Sequence, residues 1–469
     1  MGEIWTAVDG RYNESYIMMK TKEDKSQLKK AIWAYFLLLI FEGALRKWVL
    51  PGLATPILLI RDPLALWIIF KVWEQGKMPD SIYLKVMVIL GTLGIFTALL
   101  FGHGNIAVAI YGARILLIHF PLMFAIGRAF DRDDVLQIAR TIVWIAIPMA
   151  VLIAMQFYSP QSSFVNRGVG GNLEGGGFSG AMGFFRPPGT FSFTNGLVSF
   201  FSLAASMVVY FWLNQGINRT VLIVATLAII AAIPLSISRT LFFSIGVALM
   251  FAVSATLLNG KNTGKVITTG FILVVALAIL GQITFFQMAT EAFTERLTGA
   301  NESEGGVKGV LGDRYFGGLG SALSNSTEQP FFGFGIGMGT NVGSNLLTGG
   351  TKFLISEEEW GRVIGEMGAI MGIGVILVRL GLSLKLFIFG YRQMIRGDLL
   401  PWMLLSFALL VIPQGQWAQP TSLGFSTLIG GLLFASFSKA KSSEKNTEDT
   451  SHTTVAAAAV GLTKYKYIR

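Results

Sequence analysis

The sequence predicts an all-α, polytopic helical membrane protein with about 12 transmembrane helices and one large external loop. Three observations predict it. Hydrophobic residues make up 52% of the 469 and charged residues only 14%, with mean hydropathy +0.60. Apolar runs of roughly twenty residues, the length needed to cross about 30 Å of hydrocarbon, recur along the chain. The alternating segments of about ten residues that build a β-barrel are missing. The one long polar, glycine-rich interruption runs from Glu291 to Gly368.

Composition narrows the chemistry. There is no Cys, which excludes disulfides and thiolate metal sites. Three His, at 103, 119 and 452, are too few and too scattered for a His-rich metal cluster, so no cofactor or metal is expected. The formal charge of +10 is spread over short loops and tails, the pattern of positive charge held on the cytoplasmic side rather than of nucleic-acid binding. Met1 to Lys30 is polar and lacks the apolar core of a cleavable signal.

Taken in order, residues 1–30 read as a basic cytoplasmic tail. Spans follow at Ala31–Leu50, Thr55–Trp73, Ile82–Phe101, Ile106–Gly127 and Val135–Phe157. After a Gly-rich loop at 158–192 come Phe193–Leu213, Arg219–Ser236, Thr240–Leu258 and Val266–Met288. A large loop occupies 289–357. Three more spans, Trp360–Phe389, Leu399–Ile412 and Leu423–Phe437, fall within 358–438, and 439–469 is a second basic tail. With the N-terminus inside, Lys71, Lys77, Arg128, Arg132, Arg219, Lys261, Lys265, Arg392 and Arg396 all fall inside. The short connections at His103–Asn105 and Pro413–Pro420 carry no Lys or Arg. Both tails are therefore expected in the cytoplasm and the large loop on the outer face.

Three outer-side patches carry candidate chemistry. The loop NRGVGGNLEGGGFSGAMGFFRPPGTFSFTN holds Arg167 and Arg186, and its glycines would let backbone amides approach a ligand closely; a flexible connector fits the same composition. At PLSISRT two apolar helices meet almost without a loop. There Arg239 suits bidentate binding of a phosphate, or snorkelling to lipid headgroups. In the large loop, Gly312–Tyr315 opens a segment with helical character that includes Arg314. FFGFGIGMG is too glycine-rich for a helix and has no Gly-Lys-Ser/Thr phosphate-loop ending. Four acids and an arginine then cluster where the chain turns apolar again: Glu357, Glu358, Glu359, Arg362 and Glu366. They are costly near lipid unless functional. A structural reading is also open, with Ser356 and Glu359 as a capping box and Arg362 pairing with Glu358 and Glu366.

At these residues the chain resembles the O-antigen ligase and O-antigen polymerase superfamily. RPPGTFSFTN is similar to the family's arginine–glycine–phenylalanine–asparagine loop, and LSISRT to its serine–x–serine–arginine turn. DRYFGGLGSAL with QPFFGFGIG resembles the arginine helix and glycine run of its large periplasmic loop. VIGEMGAIMGIG resembles the helix that returns to the membrane with a glutamate–x–glycine. The likeness covers about Leu152 to Arg379 and rests on the joint order of motifs. It implies a bacterial inner-membrane glycosyltransferase that moves an undecaprenyl-diphosphate-linked glycan onto a sugar hydroxyl of a glycolipid or growing polysaccharide. Arg239, Arg314 and Arg186 are then expected to hold the diphosphate, with Arg362 in support. Where family ligases place a histidine base, about nine residues before that glutamate, this chain has Glu357. A carboxylate base is expected instead, with Glu358 and Glu366 as alternates, since a partly buried Glu is raised toward a useful pKa. Arg46, Lys47, Arg61 and Asp62 match no motif and stay unassigned. The other function class open to such a chain is a secondary transporter or lipid-linked-glycan flippase, whose mark would be internal repeats and interrupted helices.

Overall fold

The structure is a computed structural model that describes residues 24–259, 264, 282–304, 320, 324, 329–350, 354–356 and 358–438. It is mostly helical. Among the described residues seven helices are long and apolar enough to cross a membrane, and three shorter apolar helices accompany them. The all-α class stands. The expected ninth span, Val266–Met288, lies largely outside the described residues.

Helix α1 (24–44) begins inside the expected polar tail and passes into a π turn, Leu45–Val49. After a 3₁₀ turn at Pro51–Leu53, the second expected span is divided between α2 (Ala54–Leu58) and α3 (Arg61–Glu74). Pro51 at the start of the turn and Pro63, whose ring opposes the Leu59 carbonyl, account for these breaks, because a ring in place of N–H interrupts the helical ladder. Helix α4 (Ile82–Leu100) is followed by α5 (Ile106–Arg114), a π turn at Ile115–His119 and α6 (Phe120–Ala129), then α7 (Arg132–Tyr158). Side-chain caps set two of these starts. Asn105 accepts from the amides of Ala107 and Val108, and Asp131 forms a capping box with Asp134.

Helix α8 (Thr194–Leu213) is apolar on every side, and 89% of its apolar window is buried; α3 and α4, 22% buried, lie at the periphery. A helix hydrophobic all round belongs inside a bundle. Helices α9 (Arg219–Leu235) and α10 (Arg239–Asn259) follow. Next comes α11 (Thr284–Glu304), which runs well past Met288 into what the sequence reads as loop. The chain closes with α12 (Asn341–Thr348), α13 (Glu359–Ile395), α14 (Leu400–Val411) and α15 (Pro420–Ser436). Almost wholly buried, α15 packs on α6 through small residues: a Cβ at Gly431 would meet Ile126, and one at Gly127 would meet Phe434.

The loop 158–192 is a built structure rather than a loose connector. It holds 3₁₀ turns at Phe164–Asn166 and Val169–Gly171, and a small antiparallel hairpin of β1 (Phe178–Ser179) and β2 (Phe185–Arg186).

Candidate functional site

Helix α13 is not one rod. Gly368 has φ 74° and ψ 171°, a backbone that only glycine adopts readily. A straight helix would separate Glu359 from Arg379 by about 30 Å, yet Arg379 Nη1 donates to Glu359 Oε1 at 2.6 Å. The chain therefore reverses at Gly368, and residues 359–367 run back along the helix that follows. Gly372 makes the approach possible, since a Cβ there would lie 2.7 Å from the Ile364 Cα.

The glycine run Phe331–Gly339 lies against this short arm. Phe334 N–H donates to the Gly365 carbonyl at 2.8 Å and Gly335 N–H to the Glu366 carbonyl at 3.0 Å. Gly333, Gly335 and Gly337 all take positive φ, which lets the strand thread between the arm and α5. On its other side His103 clasps it. The Asn105 N–H donates to His103 Nδ1 at 3.0 Å, so Nε2 carries the proton and donates to the Ile336 carbonyl at 3.2 Å.

Inside the hairpin four charges close on one another. Arg362 meets Glu359 in a two-pronged bond, Nε to Oε2 at 3.0 Å and Nη2 to Oε1 at 2.9 Å, and gives Nη1 to Glu366 at 2.5 Å. Glu366 also accepts from the Gly339 N–H at 2.8 Å. Arg379 spends its remaining donors on the carbonyls of Ile412 and Gly415 and lies 3.8 Å over the Trp417 ring. The Trp417 N–H donates to Glu359 at 3.1 Å. Two acids and two bases, all nearly inaccessible, cancel in charge and satisfy one another.

Several expectations change here. The capping box does not form: Glu358 is the N-cap and makes no side-chain cap, while Ser356 Oγ accepts from the Glu358 N–H at 3.1 Å. Glu359 is drawn instead to Arg362 and Arg379, because burying a carboxylate beside two guanidiniums outweighs a capping bond. Arg362 pairs with Glu359 rather than Glu358, which is exposed. Glu366, an alternate for the base, is committed to Arg362 and to the glycine run. Glu357 and Arg314 lie outside the described residues, as does the segment Gly312–Tyr315.

The second site lies on the loop 158–192. The α9–α10 junction is as tight as the sequence implies: Ser236 caps α9, Ile237 is fully buried with φ 46°, and Ser238 Oγ accepts from the Leu241 N–H at 3.3 Å. A positive φ on a β-branched residue is strained and needs surroundings that enforce it. The β1–β2 hairpin supplies them, for a Cβ at Gly180 would sit 2.8 Å from Ile237 Cδ1. Arg296 of α11 binds the same hairpin, donating Nη1 to the Gly180 carbonyl at 3.0 Å.

Arg186, Arg239 and Arg296 thereby converge from three separate segments. Burial first, then the charges of Arg296 and Arg239, hold the Arg186 guanidinium below the usual arginine range, at about 10. Its Nε is buried without a hydrogen-bond partner. The elements that carry the cluster are joined by aromatic pairs: Phe157 stacks on Phe184 at 4.7 Å and Phe242 of α10 meets Phe293 of α11 at 5.9 Å. Clustered guanidiniums with an unused donor have the chemistry to bind a multiply charged anion.

Sequence reasoning singled out Arg186 and Arg239 and not Arg296. It also missed Arg379, though a lone charge within an apolar run, VRLGL, is itself a signal. Among the described residues no three of His, Asp and Glu are arranged to hold a metal ion. Compared with protein-family models and with curated proteins, the chain matches none.

Proposed function

We propose that the chain is a metal-independent membrane glycosyltransferase of the O-antigen ligase or polymerase type, with about twelve spans, both termini cytoplasmic and its site on the outer face. The observation that carries this reading is the convergence of Arg186, Arg239 and Arg296, two of them in the motifs that resemble the family's. The donor is an undecaprenyl-diphosphate-linked glycan that enters laterally from the bilayer. The acceptor is a sugar hydroxyl of a glycolipid or a growing polysaccharide.

In the proposed step a base takes the acceptor's hydroxyl proton, and the oxygen bonds to the anomeric carbon. The bond from that carbon to the diphosphate oxygen breaks, and its electron pair leaves with undecaprenyl diphosphate. Arginines at 186, 239 and 314 neutralise the growing charge, without need of a metal. Because Glu359 and Glu366 are tied to Arg362, the acids left to serve as base are Glu357 and Glu358, and Glu357 is the first choice.

The decisive experiment incubates purified protein with a lipid-linked oligosaccharide and follows both products. Longer chains or transfer to a second lipid, with undecaprenyl diphosphate released, support the reading; unchanged substrate from active-site-intact protein refutes it. The second reading, a transporter or flippase, gains from the interrupted helix at Gly368, since broken helices line transport sites. Movement of the intact donor across a proteoliposome, with no diphosphate released, would establish it.

A further inference from the structure

A third charged assembly lies among the first six helices, and the proposed sugar transfer does not use it. Glu42 of α1 accepts from Arg61 Nε at 2.7 Å and lies 3.6 Å from Arg46 Nη1. Beside it, Asp62 accepts from Arg114 Nη1 at 2.6 Å and is 2.9 Å from His119 Nε2. Lys47 is fully buried and bonded to neutral acceptors, the carbonyls of Gly189 at 2.6 Å and Phe191 at 2.9 Å. Two π turns, Leu45–Val49 and Ile115–His119, carry Arg46, Lys47 and His119. Such turns recur at functional sites because the extra residue re-aims the side chains after it.

The charges do not balance. Three guanidiniums (Arg46, Arg61 and Arg114) share two carboxylates, with Lys47 beside them on neutral carbonyls, and among the described residues no third acid is bonded to them. Acceptors are short as well: Arg61 Nη1 and Arg114 Nε are buried without a partner, and these side chains are 3% and 6% exposed. Among the described residues the hairpin network of Glu359, Arg362, Glu366 and Arg379 sums to zero charge, so a surplus here is not a general habit of the fold. Buried excess charge is costly in a medium without water. At Arg46 the assembly opens. That side chain stays partly accessible while bonded to Ser192 Oγ and the Ala54 carbonyl. Immediately beyond it Val49, Leu50 and Leu53 are exposed apolar residues, so a cation stands next to a lipid-like surface.

We propose that Arg46, backed by Lys47 and Arg61, binds the phosphate of a membrane lipid whose hydrocarbon lies along Val49, Leu50 and Leu53. A phosphate supplies the missing negative charge and matches the guanidinium fork. The inference rests on the membrane reading and not on sugar transfer. The full chain, delipidated in detergent, is titrated separately with phosphatidylglycerol, undecaprenyl phosphate and diacylglycerol. Native mass spectrometry and the thermal midpoint are read without any glycan donor. One phosphate lipid per chain is expected to bind and raise the midpoint, while diacylglycerol does neither. Arg46→Gln should weaken binding at least tenfold and Arg46→Lys less so; should the Gln variant not fold, Lys47→Met is expected to weaken binding similarly. Stabilisation by both phosphate lipids assigns a general headgroup site, and by undecaprenyl phosphate alone a site for the donor's carrier. Equal binding of diacylglycerol, or wild-type affinity in Arg46→Gln, would overturn the proposal.

Discussion

The helical hairpin at Gly368 and the arginine cluster on the 158–192 loop use the same side chain in opposite ways. In the hairpin each guanidinium has its carboxylate, the charges sum to zero and the donors are spent on protein acceptors. On the loop, Arg186 stands beside two other arginines with a buried donor unused. The first arrangement stabilises one conformation. The second sets like charges side by side and leaves one buried Arg186 donor unused, an arrangement that favours an arriving anion. An arginine in an apolar protein therefore cannot be assigned from its sequence neighbours alone; its counter-charge decides.

The comparison can be broken most severely at Glu359. Glu359→Gln leaves Arg379 buried with a neutral partner and Arg362 with Glu366 alone, and breaking such a pair costs about 3–5 kcal/mol. A large fall in the detergent thermal midpoint is expected, partly reversed by adding Arg379→Met. A Gln variant as stable as the parent would show that the hairpin does not depend on this pairing.

The cluster should respond in activity instead. Arg239→Ala is expected to lower transfer by about a hundredfold or more, on the scale of removing one group that stabilises developing charge, with the midpoint unchanged. Arg239→Lys should recover part, since an ammonium lacks the fork. Full transfer by the Ala variant would mean that Arg239 only meets lipid headgroups. Glu357→Gln tests the base on the same assay, with a loss of roughly a hundredfold expected and measurable activity retained in Glu357→His.

Gly368→Ala probes the reversal itself. An Ala Cβ would meet the Phe331 carbonyl and would have to hold a positive φ, a strain of about 1–3 kcal/mol, read again as a lowered midpoint. The smallest effect concerns Arg186. Its pKa is depressed in the folded state, so the fold binds fewer protons there than the unfolded chain. Stability of the anion-free protein should rise slightly as pH climbs past about 10, while binding of inorganic pyrophosphate weakens. Arg186→Met should remove both trends; if the pH response persists in that variant, another group is responsible.

Much of this was legible in the residues. Span positions from Ile82 to Leu258 follow from apolar runs, because such signals are local. The tight PLSISRT junction was legible for the same reason. The pairing of Glu359 was not: its nearest neighbours in sequence offered a cap and an i,i+3 partner, and Arg379 is twenty residues away.

By itself the sequence determined the helical class, the apolar spans and the identity of the charges that cannot rest in lipid, since each depends on composition and local periodicity. Tertiary structure alone decided which charges meet. Gly368 folds a helix back so that Glu359 reaches Arg379, and the β1–β2 hairpin brings Arg186 and Arg296 to the start of α10. Whether a buried charge is compensated depends on distances between segments far apart in the chain, and only the packed fold sets those distances.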